Sequence, residues 1–231
     1  QQERIKKQKH PAEESLDWEV DRGGVIGSGA MGGGIAWLFS KQDMPVRMKD
    51  IDWDAIAKGY QTVHEIYEVL KKKRKIEVRE SGQKENLVTG TLDYSGFEKI
   101  PFVIEAIVEK LDLKHKVYQE LEQVLRPNAV IASNTSSLSI AELSEQMQHP
   151  QRMIGMHFFN PPNRMPLVEI VAGEKSSPES VAAGVRLARR LGKMPVVVGD
   201  CPGFLVNRLL MPYLNEAAYL AGEGVQIERI D

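Results

Sequence analysis

Cysteine is nearly missing from this chain: one thiol, Cys201, stands among 231 residues. A single thiol forms no internal disulfide and no cysteine-based zinc site. A reducing compartment, the cytoplasm, is the expected setting. An excess of either charge is missing too, with 30 Lys and Arg against 32 Asp and Glu. That balance lacks the basic surplus of a general nucleic-acid binder and leaves room only for a local basic patch. No apolar run approaches the ~18 residues of a membrane span, and the polar N-terminus does not read as a signal peptide. Repeats and low-complexity tracts are absent. None of the five histidines stands at metal-ligand spacing from another, so no metal site is expected.

What is there is ordinary globular composition, 42% hydrophobic and 27% charged. The length suits one large domain or a domain and a half. The chain opens on Gln1 and closes in QIERID, which suggests a piece of a larger polypeptide. Residues 1–22 are polar and charged and read as a linker or exposed arm.

From Gly23 to about Val198, β-rich runs alternate with helical ones. VRMKD (46–50), FVIEAIV (102–108), AVIAS (129–133), RMIGMHFF (152–159), LVEIV (167–171) and MPVVV (194–198) are the expected strands. Ile56, Tyr60, Val63, Ile66 or Tyr67, and Leu70 form one helical stripe. Leu113, Val117, Leu121 and Val124 form another. Ser139 and Glu142 have capping-box spacing, Ser177-Pro178 suits a helix start, and Gly192 suits its end. The alternation predicts an α/β fold: a doubly wound, mostly parallel Rossmann-type sheet, covered on both faces. GDCPGF is a turn, and Leu205 to about Gly222 reads as one long helix. The expected division is therefore an arm over 1–22, a nucleotide-binding domain over 23–199, and the first helix of a helical domain over 200–231.

Val25-Ile26 runs into GSGAMGGGIAWLF, where Gly27, Gly29 and Gly32 fit G-x-G-x-x-G. The first glycine permits a tight turn, the second lets a pyrophosphate approach the backbone, and the third lets helix and strand pack closely. The helix from about Ala30, with Met31 in its first turn, points its N–H groups at the phosphates. Asp50 follows Gly27 by 23 residues at the end of the next strand. A carboxylate there accepts ribose hydroxyls and repels a 2′-phosphate, which favours NAD over NADP. Gly23 and Gly24 predict a short or irregular first strand. The alternative is a glycine-rich turn in an α/β domain that binds no nucleotide.

GMHFFNPPNRMPLVEI (155–170) places His157 and Glu169 on two strand-like runs joined by a proline-rich turn. If the runs pair antiparallel, the two residues can meet, and a carboxylate on one imidazole nitrogen makes the other a base. Spacing alone also allows a surface ion pair. Lys71 to Lys75 is a five-cation run at the end of a helix. It suits either a solvated helix terminus or attraction of phosphates. His64 and His115 lie in charged helical segments and are expected on the surface; His10 and His149 fall in loops. Cys201 is expected to be structural.

ASNTSSLSI (132–140), the GMHFF segment and DCPGFLVNRLLMPYLNEA (200–217), in that order behind GSGAMGGGIA, closely resemble the L-3-hydroxyacyl-CoA dehydrogenase family. The resemblance runs from about Gly23 to Asp231. MKDID and TLDYSGF with VIEAIVEKLDLK look most like the dehydrogenase part of bacterial multifunctional fatty-acid oxidation enzymes, the α subunit. The resemblance implies NAD-dependent oxidation of L-3-hydroxyacyl-CoA in fatty-acid β-oxidation. It implies His157 as the base on the 3-hydroxyl, Glu169 as its orienting carboxylate, and Ser136 and Asn207 at the substrate. It places Asn134, Glu109 and Lys114 beside the cofactor, with Ala30 and Met31 in the glycine motif, and gives Asn160 a turn-shaping role. It also implies a preceding hydratase domain, a partner thiolase subunit, and a helical domain that closes the site and makes dimer contacts now lacking. A related dehydrogenase of a non-CoA hydroxy acid and an inactive nucleotide-binding fragment remain the alternatives.

Overall fold

A computed structural model describes residues 19–230. The first eighteen residues, which hold most of the expected arm and His10, lie outside them. Eight strands form one sheet: β1 Gly23–Ile26, β2 Val46–Lys49, β3 Val88–Thr91, β4 Phe102–Glu105, β5 Val130–Ser133, β6 Met153–Phe158, β7 Leu167–Ala172 and β8 Met194–Gly199. Their order is β3-β2-β1-β4-β5-β6-β7-β8. The first six run parallel; β7 pairs antiparallel with β6, and β8 parallel with β7. Among the described residues seven α-helices accompany them: α1 Ala30–Lys41, α2 Trp53–Lys72, α3 Val78–Glu85, α4 Leu111–Val124, α5 Ile140–Ser144, α6 Pro178–Arg190 and, after the last strand, α7 Val206–Gly222.

The core has two halves, one on each face of the sheet. Phe39 and Trp37 of α1, Ile56 and Tyr67 of α2, and Leu187 of α6 fill one half; Val117, Tyr118 and Leu121 of α4, with Leu143 of α5, fill the other. The chain changes faces between β1 and β4, which are neighbours in the sheet. Such a switch point opens a crevice at the carboxyl ends of the strands.

The expected strands form, with three differences. The FVIEAIV run is a strand only to Glu105, because the chain turns off the sheet there. β3 was not expected from its V-T-G-T sequence; it is a short edge strand paired to β2. β1 takes in both glycines that seemed to weaken it. A Cβ on Gly23 would lie 2.2 Å from the Phe39 ring, and one on Gly24 2.8 Å from Phe97. Aromatic rings pressing from both faces leave room only for glycine.

The helix signals hold at their ends. The Ser139 hydroxyl accepts from Ala141 and Glu142 N–H, and Ser177 from Ser180 N–H, ahead of Pro178. Gly192 closes α6 with φ of 77°. The stripes are less exact. Tyr60 and Leu113 are exposed, whereas His115, expected on the surface, is buried and bonded through Nε2 to the Glu142 carbonyl. His64 is exposed, as expected, between Glu68 and Glu85. Among the described residues no helix is long and apolar enough to cross a membrane.

Candidate active site

The glycine loop follows β1. Gly27 has φ of 90°, and a Cβ on Gly32 would lie 1.8 Å from the Gly27 carbonyl oxygen. A Cβ on Gly29 meets nothing within 4 Å, so that glycine faces open space. The helix it leads, α1 from Ala30, has no side-chain cap and no acid in its first turn. Its leading N–H groups are therefore left for an external anion. These features fit a dinucleotide pyrophosphate.

Asp50 ends β2 beside this loop. Its Oδ2 accepts from Ser28 N–H at 2.6 Å and from the Ser28 hydroxyl at 2.7 Å, and its Oδ1 from Ile51 N–H at 2.8 Å. The carboxylate is thus fixed while half-exposed. The two nearby cations are engaged elsewhere: Lys49 lies over the Tyr94 ring, and Arg47 bonds Ser95. Neither is placed to receive a 2′-phosphate, in keeping with NAD.

His157 and Glu169 are directly opposed in the β6–β7 register. His157 Nδ1 lies 2.7 Å from Glu169 Oε2. Both are buried, Glu169 completely, so the surface ion pair is excluded by burial. The other carboxylate oxygen, Oε1, accepts from Leu205 N–H at 2.9 Å and Val206 N–H at 2.8 Å. Glu169 therefore serves the histidine with one oxygen and the start of α7 with the other. An ionised carboxylate suits both tasks, since helix N-terminal amides favour negative charge. A proton carried on Nδ1 would be donated to it, which leaves Nε2 free to accept one. Phe159 and Phe204 stand beside the imidazole, with ring centroids at 4.5 and 5.7 Å.

A cavity of about 350 Å³ holds His157 together with Met31, Glu109, Asn134, Ser136 and Asn160. Asn134 Oδ1 accepts from Phe158 N–H at 2.9 Å, tying the loop after β5 to β6. Asn207 Nδ2 donates to the Ser136 carbonyl at 3.3 Å, so the four residues expected to be catalytic, His157, Glu169, Ser136 and Asn207, converge. Asn160 precedes Pro161 in the turn, by a cis peptide.

Two expected cofactor residues have partners within the protein. Glu109 accepts from the Thr135 hydroxyl and from Ser136 N–H at 3.1 Å. Lys114 is 1% exposed, between Glu105 at 2.8 Å and Glu109 at 3.1 Å. Its ammonium thus stands behind Glu109, which lines the cavity. Residue patterns missed Glu105, Thr135, Phe159 and Phe204. An acid ending an otherwise apolar strand was the available signal for Glu105. Cys201 takes a structural role, donating weakly to the Phe204 carbonyl at 3.5 Å.

The family model for the 3-hydroxyacyl-CoA dehydrogenase NAD-binding domain matches residues 23–201, and that for the C-terminal domain matches 203–231. The fatty acid oxidation complex subunit alpha of Psychrobacter sp. strain PRwf-1 is 41% identical over 213 residues, 92% of this chain and 30% of that protein. The same subunit of Acinetobacter baumannii strain SDF is 41% identical over 212 residues, with the same coverage. The chain thus spans 30% of the length of these curated relatives. Among solved structures, (S)-3-hydroxybutyryl-CoA dehydrogenase from Ralstonia eutropha is similar with a TM-score of 0.87 and 38% identity. That match covers 90% of this chain and 74% of the other. The 3-hydroxybutyryl-CoA dehydrogenase of Escherichia coli gives 0.87 and 32%, over 90% and 44%. With a glycine loop shaped for a dinucleotide, a paired histidine and carboxylate, and a family model covering most of its length, the chain belongs to the 3-hydroxyacyl-CoA dehydrogenase family.

Proposed function

We propose that the chain carries out NAD-dependent oxidation of an L-3-hydroxyacyl-CoA to the 3-oxoacyl-CoA, with His157 as general base. The observation that carries this reading is the buried His157–Glu169 pair, at 2.7 Å, whose histidine lines the cavity together with Asn134 and Ser136. NAD, when bound, would supply the acceptor for the hydride that leaves C3. His157 Nε2 takes the proton of the 3-hydroxyl, and Glu169 stabilises the imidazolium that results. Ser136 and Asn207 orient the substrate oxygen, and the flanking phenylalanines keep water from the base. Gly27, Gly29, Gly32 and the first turn of α1 hold the pyrophosphate, and Asp50 the ribose.

A groove of about 610 Å³ adjoins the cavity through Asn160. Lys73, Lys75 and Arg164 line it against Glu65. Three cations to one acid suit the phosphates of CoA and give the cationic run of residues 71–75 a purpose beyond solvation. By likeness to the fatty acid oxidation subunits, we place the chain in a multifunctional cytoplasmic α subunit, with a hydratase domain and a thiolase partner subunit.

The test is reduction of acetoacetyl-CoA followed by NADH absorbance. His157→Gln is expected to lower kcat by ~10²-fold or more, while calorimetry finds NADH affinity nearly unchanged. Full turnover in that variant sinks the base assignment. Equal turnover of free 3-hydroxy acids sinks the CoA assignment.

A further inference from the structure

Beside the His157 cavity lies a buried polar cluster that the proposed chemistry does not use. At its centre is Glu105, the last residue of β4, with 0% exposure. Its Oε1 accepts from Ile107 N–H and from Lys114 Nζ, both at 2.8 Å. Its Oε2 accepts from Lys114 Nζ at 2.9 Å, the Ser133 hydroxyl at 2.8 Å and the Tyr118 hydroxyl at 2.5 Å. The Lys114 ammonium reaches on to Glu109 Oε2 at 3.1 Å. Glu109 is the cluster's outlet: its side chain is 35% exposed, it lines the cavity with His157, and it fastens the Thr135–Ser136 loop.

The charges do not balance. Two carboxylates share one ammonium. Tyr118 adds no charge of its own, since burial, and then the Glu105 carboxylate, push its hydroxyl well above the usual range. Burial alone would raise Glu109, but the Thr135 hydroxyl and then Lys114 outweigh it and hold this carboxyl below its ordinary value. Lys114 is bound at Glu105 through both carboxylate oxygens and at Glu109 through one contact. A buried ammonium needs a partner, and Glu105 supplies it. Without Glu105, the Lys114 charge would fall on Glu109 alone and cancel it.

We propose that Glu105 is a positioning residue: by engaging Lys114 it keeps Glu109 a surplus anion in the cavity, and that surplus favours the oxidised cofactor over the reduced one. This inference rests on the NAD-dependent reading above. The nicotinamide ring carries a positive charge when oxidised and none when reduced, so a nearby anion separates the two forms by charge alone.

The experiment is calorimetry of NAD+ and of NADH on the intact chain and on Glu105→Gln, which keeps the shape and removes the charge. The ratio Kd(NAD+)/Kd(NADH) is expected to rise about threefold or more. The double variant Glu105→Gln with Lys114→Met removes both charges and is expected to return the ratio toward the parent value. Glu109→Gln, at a partly exposed position, removes the surplus directly and must raise the ratio as well, even where Glu105→Gln does not fold. A mere loosening of the loop weakens both forms equally and leaves the ratio in place. An unchanged ratio in any folded single variant overturns the proposal. A parent chain that binds neither form overturns the cofactor reading, and the proposal with it.

Discussion

Glu169 does two jobs at the scale of one residue. One oxygen holds His157 Nδ1 and the other receives the N–H groups of Leu205 and Val206. Glu169→Gln separates them. The amide oxygen can still accept from the helix, but the amide nitrogen faces Nδ1 with a donor, which favours the wrong tautomer or turns the ring. Turnover is expected to fall ~10²-fold or more. Urea unfolding is expected to show a loss of ~1–3 kcal/mol from the weakened buried bonds. Parent-like turnover with that loss of stability would show that the pair at 2.7 Å is structural only.

The β6–β7 hairpin was legible as an element because its signals are local. Apolar runs, a turn rich in proline, and matched parity around it set where the strands lie. What fastens its turn was not legible. Lys193, 6% exposed just before β8, donates to the carbonyls of Pro162 and of Met165, the latter at 2.8 Å. Burial, and secondarily the charge of Lys41, lower its ammonium to about 8 from an ordinary 10.5. The unfolded chain therefore binds this proton more tightly than the folded one between those values. The Lys193 contribution to stability accordingly rises as pH climbs from about 8 toward 10.5. Burial pushes Tyr67 up to about 12, which adds the opposite slope only above the ordinary tyrosine value of 10.0. Urea midpoints between pH ~8 and ~9.5 thus isolate the lysine, and Lys193→Met is expected to flatten the rise. A slope that survives the substitution would assign it elsewhere.

Across the whole molecule, the sheet buries its residues thoroughly and α7 does not. No residue of that helix is buried; Leu209, Met211, Tyr213 and Tyr219 are each more than 60% exposed. An apolar surface of this kind drives association. Sedimentation velocity is expected to show concentration-dependent self-association of this chain, reduced by Leu209→Lys with Tyr213→Lys. A concentration-independent monomer with the parent sequence would contradict it.

The sequence by itself determined the elements whose cause lies within a few residues. The glycine loop, the caps at Ser139 and Ser177, the turn at residues 160–166 and the alternation that makes a doubly wound sheet all belong to that class. Likeness of motif carried the site residues further than spacing alone, since spacing left a surface ion pair open for His157 and Glu169. Tertiary structure decided what depends on segments far apart in the chain. It buried His115 against the Glu142 carbonyl, 27 residues away, and left Leu113 and Tyr60 exposed on stripes that promised burial. It gave Glu169 the amides of Leu205 and Val206, 36 and 37 residues on, and confined Lys114 between two glutamates. Periodicity shows that a residue faces inward or outward, but charge, protonation and orientation are set by the atoms that pack across from it.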